Sequence, residues 1–126
     1  MKCKEMILNL VNCIEGSCLR IKEIHWNTHN QATHNLSSDI MPELAEHMDT
    51  LLELLMGVMS DERPGFDILK PMIPATKNLK DILKALVMKV EATKMMATEP
   101  MHNGIAAQLD ELTIDLNKWI YLSDNF

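Results

Sequence analysis

Apolar residues recur every three or four positions along four segments of the chain, and this period predicts four amphipathic helices. We expect the first over about 4–28, the second from the next turn to about 60, the third over about 77–97 and the fourth from about 105 onward. The stripes predicted to face the core are Ile7, Val11, Ile14, Cys18 and Ile21; then Ile40, Leu44, Met48, Leu51 and Leu55; then Leu79, Ile82, Leu83, Leu86 and Val90; then Ile105, Leu109, Leu112, Leu116 and Trp119.

The connections between these helices predict how the helices are arranged. Short turns near 30–31 and 101–104 make the first two and the last two helices antiparallel neighbours. The proline-rich connection 61–76 is long for a small bundle, and such a connection can carry the chain across the bundle, as in ferritin-like folds. We therefore expect one all-α domain over 1–126, an antiparallel four-helix bundle with a long crossover between helices 2 and 3. Pro42 should kink or restart the second helix.

Composition and charge restrict the class of protein further. The chain has 126 residues, 47% of them apolar, with 11 methionines and few aromatic residues, so the core should be aliphatic and filled with methionine. A net charge of −6 and the lack of a lysine-rich tail argue against DNA binding. No apolar run is long enough to span a membrane, and the N-terminus lacks a signal-peptide cleavage region. Three cysteines without a disulfide or CxxC spacing favour a reducing cytoplasm.

Four side chains carry the candidate chemistry. His25, His34, Asp49 and Glu53 are the ligand types that a divalent iron site needs. Asp49 and Glu53 are four residues apart, so they share one face of a helix. If His34 is on that helix, fifteen residues separate it from Asp49, which is roughly 22 Å and too far for one ion. A site that uses all four residues must therefore be assembled from two chains.

The spacing of these residues resembles that of the Dps-like mini-ferritins of the ferritin superfamily. The similar segments are His25-Trp26-Asn27, then His34, then the stretch 46–53 with Asp49 and Glu53 at +15 and +19 from His34, and in the last helix Asp115 and Lys118-Trp119. The sequence departs from the family pattern in two respects. The interval from His25 to His34 is three residues shorter, and Ser38 stands where the family has an acidic residue.

The resemblance implies a specific activity and assembly. In the family, iron lies at a two-fold dimer interface, so His25 and His34 would face Asp49 and Glu53 of the partner subunit. The implied protein is a ferroxidase-type oxidoreductase that oxidises Fe(II), usually with peroxide, and stores or detoxifies the Fe(III) product under oxidative stress. Zinc could substitute for iron. Homodimers would build a cage of twelve subunits. Peroxide and dioxygen both remain open as oxidants.

A different function remains open beside this one. The chain could be a structural or interaction helical bundle without metal, in which His25 is a hydrogen-bonded core histidine. Trp26 is expected to be an interface or core anchor. His47 is expected at the surface, and His29 at a solvated helix end.

Overall fold

The chain forms four helices that pack against one another. A computed structural model describes residues 2–59 and 69–124, and this part of the chain contains no β-strand. The predicted all-α class with four packed helices is thus confirmed. The helices are α1 (Lys2–Asn27), α2 (Gln31–Met59), α3 (Leu79–Lys94) and α4 (Asn103–Ser123), with a short 3-10 turn at Pro100–His102 before α4.

Asparagine side chains decide where two helices begin. The Asn30 side chain accepts a hydrogen bond from the backbone N–H of Thr33 at 2.9 Å, which starts α2. Asn78 has extended backbone and caps the N–H of Asp81 at 3.0 Å, so α3 begins at residue 79 and is shorter than the predicted 77–97. Of the kink or restart predicted at Pro42, the restart is wrong, because α2 continues through Pro42 as one helix, and the kink stays a prediction.

The four predicted stripes form the core. Every residue in them is buried except Cys18 and Met48, which are half-buried. The expectation of a methionine-filled core is wrong, since no methionine among the described side chains is buried. Isoleucine and leucine occupy the centre, with Trp119 as the largest fully buried side chain. Branched aliphatic side chains fill those positions in few rotamers. The flexible methionines are at most half-buried, and Met41 and Met48 pack against this core from its surface.

The helices are not arranged in simple up-and-down order. α1 packs on α2 and α3, and α4 packs on the same two helices, so α2 and α3 lie diagonally across the bundle. The chain reaches α3 through residues 69–78, which we call the strap. The strap lies along α1 and runs in the same direction: Met72 N–H donates to the Asn12 carbonyl at 3.0 Å, and further along Arg20 Nε donates to the Pro74 carbonyl at 2.9 Å. α3 therefore begins near the end of α1 and runs parallel to α2.

Gly16 allows the strap to contact α1 this closely. A Cβ atom at Gly16 would lie 1.9 Å from the carbonyl oxygen of Met72 and 2.7 Å from the nitrogen of Ile73. The strap backbone thus occupies the space that any other side chain at this position would need. Lys70 N–H donates to the Asn12 side chain at 2.8 Å and secures the strap just before this contact.

Candidate metal site

His25 and His34 lie together at the turn between α1 and α2. His25 is in the last turn of α1, His34 is in the first turn of α2, and both are half-buried. Their imidazole rings are stacked, with ring centroids 4.0 Å apart and planes inclined by 21°. The three-residue connection between the antiparallel helices places these two side chains opposite each other. The structure thus brings together two of the four predicted ligands.

Reciprocal hydrogen bonds hold the two rings. His25 Nδ1 lies 3.0 Å from the backbone oxygen of His34, and His34 Nδ1 lies 3.1 Å from the backbone oxygen of His25. A carbonyl oxygen only accepts hydrogen bonds, so each Nδ1 must be the protonated nitrogen. In a neutral imidazole the second nitrogen, Nε2, then carries the lone pair, which is the arrangement of a metal-binding histidine oriented by the backbone.

The stacked arrangement limits how these nitrogens can bind metal. An ion binds in the plane of the imidazole ring, along the lone pair, at about 2.0–2.1 Å for zinc. The planes of His25 and His34 are nearly parallel and 4.0 Å apart at their centres, so one ion cannot lie in both planes. As stacked, the two rings can serve two separate ions, and one ring must turn before both can share an ion.

The predicted carboxylates lie elsewhere on α2. Asp49 and Glu53 are both exposed. Because α2 is continuous from residue 31 to residue 59, the fifteen residues between His34 and Asp49 span roughly 22 Å. Within residues 2–59 and 69–124 of a single chain, no three His, Cys, Asp or Glu side chains are grouped so that they could hold a metal ion. A site with both histidines and both carboxylates therefore requires a second chain.

Trp26, next to His25, is 72% exposed, which excludes the predicted role as a core anchor. The Lys22 ammonium, one turn earlier on α1, lies 5.9 Å from the centroid of the Trp26 indole ring. This is a cation–π distance, near the outer limit of such contacts. An exposed tryptophan beside a histidine pair is a large apolar surface at the same end of the bundle. His29 is exposed in the turn, as predicted.

The prediction that His47 lies at the surface is wrong. His47 is buried between α2 and α4, where Nε2 is 2.7 Å from a carboxylate oxygen of Asp115 and Nδ1 is 2.7 Å from the amide nitrogen of Gln108. The sequence did contain a signal for this, because His47 is three residues after Leu44 and four before Leu51 on the core stripe. The local charge of its neighbours is a poor guide to the face it occupies. Both ring nitrogens are engaged, so His47 joins the helices and is not available as a ligand.

One further motif was missed in the sequence. Glu99 and His102 form a Glu-x-x-His sequence, which occurs on two facing helices in di-iron bundles. Here it falls in the turn between α3 and α4, with Glu99 exposed and His102 only 4% exposed. Both ring nitrogens of His102 are buried without a hydrogen-bond partner. A single motif with its two side chains in such different environments does not form a di-metal site within the bundle.

Comparison with known proteins finds no relative. No protein-family model matches the chain, and no curated protein or solved structure is significantly similar to it. The described helices include none that is both long and apolar enough to cross a membrane. The features that bear on function are therefore the geometry of the histidine pair and that of the two carboxylates.

Proposed function

We propose that this protein is a mini-ferritin that binds Fe(II) between two subunits, oxidises it and stores the Fe(III) product. The observation that carries the proposal is the histidine pair at the α1–α2 turn. Both Nδ1 atoms are hydrogen-bonded to backbone carbonyls, so the lone pair of each neutral ring is on Nε2, where it can bind a metal ion. His25 and His34 would supply these nitrogens. Asp49 and Glu53 of the partner subunit would supply the carboxylates.

The helix arrangement supports a ferritin-like bundle. Such bundles have two antiparallel helix pairs joined by one long crossover connection. The strap runs beside α1, and α2 and α3 lie diagonally, as that topology requires. A simple up-and-down bundle would instead place α2 next to α3.

The outer face of α2 supports a contact with a second copy. In a two-fold contact the same surface is used by both subunits, so His34 of one chain must meet the carboxylates of the other. The axis would then cross α2 near its midpoint, at about 42–44. This part of α2 carries the exposed Ala45 and the half-buried Met41, Met48 and Leu52, so apolar surface is present beside Asp49. Burial of this surface would favour the contact.

The residues would divide the chemistry between them. Neutral imidazole nitrogens bind Fe(II) well, and carboxylate oxygens favour the higher charge of Fe(III), which assists loss of the electron. Two Fe(II) ions would give one electron each to one peroxide, which takes up two protons and leaves as two water molecules. The net charge of −6 would attract cations to the assembly. Twelve subunits in a closed cage would provide the volume in which the ferric product is stored.

The decisive experiment follows iron oxidation in matched variants. Ferric absorbance after peroxide addition to anaerobic Fe(II)-loaded protein should grow much more slowly in His34→Ala and in Glu53→Ala than in the wild type. Glu46→Ala is the matched control, because Glu46 is an exposed carboxylate on the same helix outside the proposed set. Equal rates in all four proteins would refute the assignment of these residues.

The assembly is tested separately from the chemistry. Native mass spectrometry of the purified protein should show a closed oligomer built from dimers, with twelve subunits expected. A monomer at micromolar concentration that still binds iron stoichiometrically would contradict an intersubunit site.

One observation also favours the second candidate function, a structural bundle without metal. The stacked rings and their reciprocal bonds fasten α1 to α2, and this alone would account for both histidines. The two functions differ in an anaerobic Fe(II) titration of the wild type and of Asp49→Ala. A structural role predicts no saturable binding in either protein. The mini-ferritin role predicts saturable binding that Asp49→Ala weakens.

A further inference from the structure

We propose that Ser37 is the positioning residue of His25: its hydroxyl, with the backbone carbonyl of His34, holds the His25 ring in the Nδ1–H form and leaves Nε2 as its metal-binding atom. The backbone carbonyl of His25 does the same for the ring of His34. The proposal deepens the proposed function by identifying the binding atoms and the residue that selects them. It rests on the proposed function only in taking the bound cation to be iron.

The contacts of Ser37 define its role. Ser37 is 0% exposed and lies one turn after His34 on α2. Its hydroxyl oxygen is 2.9 Å from the backbone oxygen of His34 and 3.1 Å from His25 Nδ1. The hydroxyl donates its hydrogen bond to the carbonyl, so a lone pair of the same oxygen faces His25 and accepts a hydrogen bond from Nδ1–H, which is shared with the His34 carbonyl.

The opposite assignment can be rejected on electrostatic grounds. If His25 carried its proton on Nε2, the lone pair of Nδ1 would face the carbonyl oxygen of His34 at 3.0 Å. Two acceptors at that distance repel each other. Ser37 could then donate to His25, but the carbonyl of His34 would lose both side-chain donors. With Nδ1 protonated, every one of these contacts is a hydrogen bond.

His34 is oriented by a different group. Its Nδ1 donates to the backbone oxygen of His25, which lies at the end of α1 where carbonyls lack helical donors. His34 therefore satisfies the helix end while its Nε2 is left with the lone pair. Ser37 acts directly on His25 only, and its loss should affect His25 more than His34.

The first test observes the ring protons without metal or activity. Long-range proton–nitrogen NMR spectra of nitrogen-15-labelled, chelator-treated protein at pH 8 distinguish the Nδ1–H from the Nε2–H form. In the wild type both His25 and His34 should be in the Nδ1–H form. In Ser37→Ala, which removes only an oxygen atom, His25 should gain a fraction of Nε2–H and His34 should change little. A wild-type spectrum with Nε2–H at either ring overturns the proposal.

The second test measures affinity with Zn²⁺, a probe without redox chemistry. Ser37→Ala should weaken Zn²⁺ binding about tenfold, at the low end of the effect of removing a group that orients a ligand, because the His34 carbonyl remains. Ser37→Thr keeps the hydroxyl and should restore affinity. Ser38→Ala, which changes the exposed serine next to it, should bind like the wild type. Unchanged affinity and unchanged ring spectra in Ser37→Ala would show that Ser37 has no positioning role.

Failure of the positioning role of Ser37 can be distinguished from failure of the proposed function. Neither measurement contains iron or peroxide. Nδ1–H rings and a Ser37-dependent Zn²⁺ affinity, found together with no iron oxidation, would sustain the positioning role and refute the mini-ferritin. Unchanged ring spectra and unchanged Zn²⁺ affinity in Ser37→Ala, found together with iron oxidation that depends on His34 and Glu53, would refute the positioning role and sustain the mini-ferritin.

Discussion

Replacing Gly16 with alanine should destabilise the protein, although alanine is the better helix former. Alanine in a helix interior is favoured over glycine by about 0.5–1 kcal/mol. At position 16, however, the new Cβ would lie 1.9 Å from the carbonyl oxygen of Met72 in the strap. The strap must move outward by more than an ångström, because that oxygen belongs to backbone and has no rotamer to change.

The contacts that would be lost set the magnitude. The displacement would disrupt the hydrogen bonds from Met72 and Lys70 to Asn12 and from Arg20 to Pro74. At about 0.5–1.5 kcal/mol net for each of the three bonds, the loss is about 1.5–4.5 kcal/mol. After subtraction of the helix-propensity gain of about 0.5–1 kcal/mol, Gly16→Ala should reduce the free energy of unfolding by about 0.5–4 kcal/mol.

Gly57→Ala is a matched control within the same protein. A Cβ at Gly57, in α2, would have nothing within 4 Å. This variant should therefore gain about 0.5–1 kcal/mol from helix propensity alone. Urea denaturation of the wild type and both variants measures the difference, and hydrogen exchange at the Met72 amide should accelerate only in Gly16→Ala. If both variants are stabilised equally, the close contact of the strap with α1 is not present in solution.

Three further outcomes are expected. His47→Ala should lower the free energy of unfolding, measured by urea denaturation, by about 2–4 kcal/mol, because it leaves a cavity and removes the hydrogen bonds to Asp115 and Gln108. The control Glu46→Ala, at an exposed position, should change it by less than about 0.5 kcal/mol. Burial, with a smaller contribution from Glu15, raises the pKa of Cys18 from its ordinary 9.0 to about 11, so the folded state keeps a proton that the unfolded state releases. The contribution of the buried thiol to the free energy of unfolding is therefore complete below pH 9 and is lost as the pH rises to 11. The decrease of the urea midpoint between pH 8 and pH 10.5 should be smaller in Cys18→Ala than in the wild type. A gel-shift at about 150 mM salt should show no micromolar DNA binding, given the net charge of −6; a retarded band would contradict this.

The positions of the four helices and most of the core residues could be predicted from the sequence. A stripe with a 3.6-residue period can face only one side of a helix, and that side must be buried to remove the apolar surface from water. The predicted stripes are accordingly buried along all four helices, with Cys18 and Met48 only partly covered. The spacing of His34 and Asp49 also established that one chain could not bring them together, since the rise of a helix is constant.

Which polar side chains are available to bind a ligand depends on how the helices pack. His25 and His34 meet because the turn brings two antiparallel helix ends together, and Ser37 reaches the ring of His25 through the same packing. Nothing in a run of adjacent residues indicates a contact between helices. The period of the stripe could place His47 on the buried face of α2, but it could not indicate its partners, because Asp115 and Gln108 lie on α4.

The contact between the strap and α1 is the clearest example of a feature that the sequence could not predict. Glycine is unfavourable in the middle of a helix, so helix propensity alone would predict that another residue at position 16 stabilises α1. Glycine is required at this position because the backbone of Met72, more than fifty residues later in the chain, occupies the space of a Cβ atom. Propensity acts between neighbours in sequence and is visible there, whereas steric contact between distant segments exists only after the chain has folded.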